Sequence, residues 1–150
     1  MGRVLKKGSL EMTKSIEAEY GVKKRRVKLY RRTTKSGKKL DVFDSPGEGL
    51  HVLFNFPEFT CLCPRTGHPD FADITFSYLP VQFCVEMKSL KYYYNSFRNE
   101  GHFHEQVTRL IAEDLVGILR PEDFWIRGIF NTRGGTTPTI QLFWADGKWY

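Results

Sequence analysis

The stretch "TCLCPRTGHPDFADI" (residues 60–74) sets two thiols around one leucine and a carboxylate seven positions after the second thiol. Cys63 has three readings. As a small buried hydrophobe it meets the common fate of a free cysteine. As a metal ligand it joins Cys61 and His68, three donors within eight residues. The C-x-C spacing, however, is not the C-x2-C of common zinc knuckles, and no second pair follows. As a nucleophile it needs one group that favours the thiolate and one that moves protons, which Asp70 and His104 can supply if the fold brings them together. Asp70 also suits a turn after Pro69, and Glu105 suits the first turn of a helix whatever the function. His104 has no such structural excuse, and histidine is the residue type suited to moving protons.

A second cluster lies in "VEMKSLKYYY" (85–94). Lys88 and Lys91, three apart, project from one side of a helix near its positive end and form a cradle for phosphate, or else a solvated edge of an amphipathic helix. Arg133, just before Gly134-Gly135, reads as a hairpin arginine.

The elements that must position these groups follow from periodicity. "GLHVLFNF" (49–56) alternates with Leu50, Val52, Phe54 and Phe56 on one face, a half-buried strand that Pro57 is expected to end. "ADITFSYL" (72–79) repeats the pattern with Ile74, Phe76 and Tyr78, and the cysteine loop lies between the two strands. Met87, Leu90, Tyr94 and Phe97 then recur at helical spacing, broken at 99–101. A second helix spans 102–120, with Phe103, Val107, Leu110, Ile111 and Ile118 as its stripe and Pro121 closing it. Alternation returns in 123–135 and 139–146, joined around Gly134-Gly135. The order ββααββ implies an α+β domain, a four-stranded antiparallel sheet with an antiparallel helix pair on one face.

The chain of 150 residues fits one such domain, with no apolar run long enough for a membrane span or a secretory signal, so the cytoplasm is the default compartment. The net charge of +6 is unevenly spread: residues 1–41 carry 14 Lys and Arg against 4 Asp and Glu, leaving 9 against 13 in residues 42–150. Residues 1–40 therefore read as a flexible basic arm and 41–150 as the folded domain.

Together, "PEFTCLCPRTGHPDFADI", "VEMKSLKYYYNSFRN", "GHFHE" and "RGG" resemble, in order, the motifs of the 7-cyano-7-deazaguanine reductases, the nitrile reductases of queuosine biosynthesis, in their short single-module form. The resemblance covers about residues 40–146. It implies the tunnelling fold, NADPH as cofactor, and a homo-oligomer, a decamer of two pentamers with sites between subunits. It implies no membrane and no direct need for nucleic acid. By the same resemblance, Cys63 forms a covalent thioimide with the nitrile, Asp70 donates a proton and His104 lies beside the reacting carbon. Val85, Glu86, Met87, His104 and Glu105 hold the base, Lys88, Lys91 and Arg133 hold the cofactor phosphates, and no metal is bound. Met87 departs from the family pattern, which has serine or leucine there, so only a backbone contact is expected of it. Two rival readings are a zinc-dependent cyclohydrolase-like relative and a basic RNA-binding module.

Overall fold

Alternating apolar residues build most of the chain into antiparallel ladders, and the places where alternation fails decide where the functional groups end up. The computed structural model describes residues 26–150. Its strands are β1 (Tyr30–Thr33), β2 (Lys39–Asp44), β3 (Val52–Leu62), β4 (Pro69–Tyr78), β5 (Phe83–Val85), β6 (Asp123–Phe130), β7 (Thr139–Ala145) and β8 (Lys148–Trp149). Two helices, α1 (Met87–Asn95) and α2 (His104–Leu119), separate β5 from β6. The long strands β3, β4, β6 and β7 follow the expected ββααββ order. They lie in a five-stranded antiparallel sheet, β3-β4-β6-β7-β8, and β1-β2-β5 form a second, three-stranded sheet.

Pro57 does not end β3. The register slips between Phe56, opposite Ile74, and Phe59, opposite Ala72, so three residues of β3 span two of β4. Proline has no N–H for the ladder, and an edge strand can absorb it in a bulge. The slip reverses which residues face the core. Val52, Phe54 and Phe56 turn inward before it, and Phe59 and Cys61 are fully buried after it. On β4 the inward row runs unbroken through Asp70, Ala72, Ile74, Phe76 and Tyr78. It begins at Pro69, three residues earlier than the alternation of apolar side chains suggests.

Both helices press apolar faces onto this core, α1 through Leu90, Tyr93 and Tyr94 and α2 through Val107, Ile111, Ala112 and Leu115. Met87 and Phe103, expected on the helical stripes, are instead 62% and 47% exposed, because each stands at the very start of its helix and turns away from the core. Gly128 on β6 permits the close approach of α2. A Cβ there would come within 3.1 Å of Thr108 Oγ1 and Ile74 Cδ1 and within 3.2 Å of Phe130 Cε2.

The folded domain begins before residue 40. β1 and β2 form a hairpin across Thr34–Lys38, β2 pairs with β5, and Leu40 and Val42 are completely buried. Five basic residues between Arg31 and Lys39 conceal this hairpin, because its outward positions are charged and its inward apolar residues are few. The rest of the expected arm, residues 1–25, lies outside the described residues.

The tip of the hairpin is locked to both helices by one buried carboxylate. Asp114, 1% exposed, accepts from the Ser36 N–H at 2.8 Å, the Ser36 hydroxyl at 2.5 Å and the Tyr93 hydroxyl at 2.8 Å. Outside this lock, Lys35 reaches Glu113 at 2.6 Å on the surface. Removing an acceptor that satisfies several buried donors strands all of them, whereas an exposed ion pair contributes little. Asp114→Ala should therefore cost about 3 kcal/mol in urea denaturation and Lys35→Ala no more than about 0.5 kcal/mol. Equal effects would place the lock elsewhere.

Candidate active site

Cys63 stands just past the end of β3, where the chain turns before entering β4. Cys61 and Asp70 are register partners across this ladder, and both are buried. The inward row of β4 thus ends in a carboxylate. Two backbone hydrogen bonds bring in a second segment: Leu62 N donates to the Glu100 carbonyl at 2.9 Å, and His102 N donates to the Leu62 carbonyl at 3.0 Å. This clasp draws the chain entering α2 against the cysteine turn, so closely that a Cβ on Gly101 would lie 3.4 Å from the Pro64 Cα. The third segment is the β6–β7 hairpin. Gly134 and Gly135, with φ of 56° and 75°, turn between Arg133 and Thr136, whose N–H and C=O groups bond reciprocally.

These three segments enclose a cleft of about 330 Å³ lined by Cys63, Asp70, His104, Glu105 and Arg133, with Pro64, His102 and Phe103 completing it. A larger cleft of about 560 Å³, between the β3 bulge and the end of α1, contains none of the expected site residues.

Within the smaller cleft, Asp70 is held between two nitrogen bases. Arg133 Nη2 is 2.7 Å from its Oδ1, and His104 Nε2 is 3.4 Å from its Oδ2. Arg133 also donates to the Pro69 carbonyl at 2.6 Å. His104 stacks on Phe130 with ring centroids 4.0 Å apart and 16° between planes. Thr108, packed against Gly128, donates to the His104 carbonyl at 2.8 Å. Glu105, exposed in the first turn of α2, has no side-chain partner among the described residues and is open to a ligand.

The two neighbouring thiols differ sharply. Burial, with Asp70, Cys63 and Glu100 nearby, pushes the Cys61 thiol up to about 11. At Cys63 the Thr66 hydroxyl and the N–H groups of Thr66 and Arg65 hold the thiol below its ordinary value, outweighing some desolvation and the Asp70 charge. A thiolate beside a proton-carrying pair, at the mouth of a cleft, is equipped for nucleophilic addition.

Not every expected residue comes to this cleft. Val85, Glu86, Met87, Lys88 and Lys91 sit at the junction of β5 and α1, away from it. Val85 is buried and its N–H bonds the Tyr78 hydroxyl at 3.1 Å. The Glu86 carboxylate caps α1, accepting from Lys88 N at 2.8 Å and Ser89 N at 2.7 Å. Arg133, expected at the cofactor phosphates, lines the cleft and engages Asp70 and the Pro69 carbonyl, because the hairpin turn aims its guanidinium back at the end of β4. Lys88 and Lys91 are exposed on the first turns of α1 and make no ion pair among the described residues. They fit a phosphorylated ligand.

His102 lines the cleft unforeseen. Its Nε2 lies 2.9 Å from Glu100, which is also bonded by Lys38. Nothing in "GHFHE" sets His102 apart before the chain ahead of α2 is seen to run along the cleft. Cys61, Cys63 and His68 do not converge, and among the described residues no three His, Cys, Asp or Glu side chains are grouped to hold a metal. Nor is any described helix long and apolar enough to cross a membrane.

Comparison with known proteins bears on the family and the fold. The profile of the QueF-like protein family matches residues 69–148. The crystal structure of the archaeosine synthase QueF-Like in the apo form superposes with a TM-score of 0.57 at 15% identity, over 69% of this chain and 98% of that one, a likeness of fold alone. The fold and site thus define a QueF-like protein with the expected tunnelling fold. Among curated relatives, the NADPH-dependent 7-cyano-7-deazaguanine reductase of Ruthia magnifica is 50% identical over 114 residues, 75% of this chain and 89% of the relative. The enzyme of the same name from Thiobacillus denitrificans is 51% identical over 114 residues, 75% of this chain and 82% of the relative. The chain belongs to the family of NADPH-dependent 7-cyano-7-deazaguanine reductases.

All three cysteines are free. Iodoacetamide at neutral pH should therefore label Cys63 in the native protein and leave the buried Cys61 and Cys84 unmodified until denaturant is added, as peptide mapping would read. Early labelling of Cys61 would overturn the assigned difference.

Proposed function

We propose that this protein reduces the nitrile of 7-cyano-7-deazaguanine to the aminomethyl group, consuming two NADPH per turnover through a covalent thioimide on Cys63, in the queuosine pathway of tRNA modification. The observation that carries this reading is that Cys63 shares one cleft with the Asp70–His104 pair, with its thiol held below the ordinary value.

The thiolate adds to the nitrile carbon, forming the C–S bond while one C–N π bond breaks. Asp70 delivers a proton to the nitrogen, and His104, 3.4 Å away, is placed to restore the proton to it. NADPH supplies the hydrides, two in all, which with two protons convert C≡N to CH2–NH2. After the first reduction the C–S bond breaks and sulfur leaves as the thiolate, so Cys63 is regenerated. His104, held flat against Phe130, then faces the carbon during the second reduction. Glu105 accepts hydrogen bonds from the ring N–H and exocyclic amine of the guanine-like base, a pairing that disfavours bases lacking those donors. Phe103 and Pro64 exclude water from the cleft walls.

Lys88 and Lys91 bind the cofactor phosphates. Because they and the Val85–Met87 segment lie outside the Cys63 cleft of their own chain, we read the complete site as shared between subunits of a homo-oligomer, a decamer of two pentamers. The main chain at 85–87 and the Glu86 side chain then close over the base. Cytoplasmic residence accords with a thiol nucleophile that must stay reduced.

Native protein mixed with NADPH and 7-cyano-7-deazaguanine should oxidise the nicotinamide in a ratio of two per nitrile. Cys63→Ala should show neither turnover nor a substrate adduct by mass spectrometry, and an active alanine variant would sink the assignment. The rate should fall as pH drops through the depressed Cys63 value, because protonation removes the nucleophile, and hold on the alkaline side of it. Replacing Lys88 and Lys91 together with alanine should raise the KM for NADPH about tenfold or more with little change in base affinity. Unchanged cofactor affinity would move the phosphates elsewhere.

A further inference from the structure

His102 lines the cleft, yet the proposed reaction leaves it without a task. Its main chain is fixed by the clasp: the N–H donates to the Leu62 carbonyl at 3.0 Å, so His102 lies beside the residue that precedes Cys63. Its ring is held from two sides. Nε2 lies 2.9 Å from a Glu100 carboxylate oxygen, and the ring meets the buried Phe97 edge-on, with centroids 5.9 Å apart and 62° between planes. Lys38 closes the arrangement, bonding the other Glu100 oxygen and lying over the Phe97 ring at 4.3 Å from its centroid.

This network fixes what the ring offers a ligand. An ionised carboxylate only accepts, so Nε2 carries the hydrogen of the bond to Glu100. Lys38 already balances the Glu100 charge, so the pair does not require a positive imidazole. In the neutral ring the lone pair falls on Nδ1. Nδ1 makes no hydrogen bond among the described residues and is not sealed in the interior, which leaves it as the acceptor that His102 holds out to the cleft.

The base of the proposed reaction carries three kinds of N–H: the ring amide, the exocyclic amine and the pyrrole N–H. Glu105 takes the first two, on the six-membered ring. The pyrrole N–H belongs to the same five-membered ring as the nitrile, so its acceptor must stand near Cys63. Arg133 only donates, both Asp70 oxygens are engaged, by Arg133 and by His104, and His104 is turned to Asp70 through Nε2. His102 is the acceptor that remains.

We propose that His102 is a specificity-determining residue whose Nδ1 accepts the pyrrole N–H of the base, and so selects the free base over forms substituted at that nitrogen, nucleosides included. This deepens the nitrile-reductase reading and rests on it. A substituent at that nitrogen removes the donor and sets carbon against the lone pair.

The test is steady-state reduction of 7-cyano-7-deazaguanine, and of its derivative methylated at the pyrrole nitrogen, by the full chain as wild type, His102→Phe and His102→Asn. Wild type should favour the free base in kcat/KM by about a hundredfold or more. His102→Phe keeps a ring against Phe97 and loses the acceptor. It should raise the KM for the free base about tenfold, spare the methylated base and leave the KM for NADPH unchanged, so that the preference narrows. His102→Asn, whose carbonyl oxygen stands about where Nδ1 does, should keep most of the preference. Should His102→Phe not fold, His102→Ala takes its place with the same expectation. A histidine that only supports the fold would weaken both bases alike, so an unchanged free-base KM or an undiminished preference in the acceptor-less variant would overturn the proposal alone. Failure of wild type to reduce the free base would instead overturn the nitrile-reductase reading.

Discussion

The site depends on the register between β3 and β4 beyond the Pro57 bulge. One extra residue in β3 exchanges its two faces, so Phe59 and Cys61 point into the core and Cys61 lies opposite Asp70. Without that slip the inward positions would fall on Thr60 and Leu62. A strand's side chains alternate with a period of two, and a shift of one residue therefore transposes everything downstream. The bulge makes one cysteine inert packing and lets the other leave the ladder at the head of a turn. It also places a carboxylate at the last inward position of β4, where the core opens into the cleft.

A buried carboxylate is costly unless it is paired, and Asp70 is paired twice, with Arg133 from one hairpin and His104 from a helix start. Each partner is itself fixed by backbone geometry. The paired glycines of the β6–β7 turn aim Arg133, and the Leu62 clasp with Glu100 and His102, together with the close packing at Gly128, sets His104 on Phe130. A loop, a strand end and a helix start thus converge on one point without any of them being contiguous in the chain. The second carboxylate lock, at Asp114, does for the hairpin of β1 and β2 what Asp70 does for the cleft. Tyr93 and Ser36 together satisfy it, and so tie the amino-terminal sheet to both helices.

Much of this was legible beforehand. The two long hairpins and both helices follow from alternation and from helical spacing, since long periodic segments bury one face whatever else happens. Cys63, Asp70, His104 and Glu105 were named from residue type and order, and the cleft contains all four. The hairpin from Tyr30 to Asp44 was not legible, because arginines and lysines fill its outward face and only Leu40 and Val42 mark the inward one. His102 was passed over because a histidine two residues from another carries no information until the chain is seen to run extended along the cleft. The pairing of Arg133 with Asp70 was not legible, because a cation near two glycines has no visible partner in one dimension. Its partner is 63 residues away, at Asp70.

The sequence by itself determined the element order, the residue types available for thiol addition and proton transfer, and the family to which their spacing belongs. Those properties are local, set by periodicity and by chemistry within a few residues. Only the tertiary structure decided that Cys61 is buried while Cys63 reaches the cleft, which cation pairs with Asp70, and that the lysines of α1 stand apart from the cleft of their own chain. These depend on strand register and on contacts between distant segments, where one inserted residue or one backbone clasp outweighs any propensity that can be read along the chain.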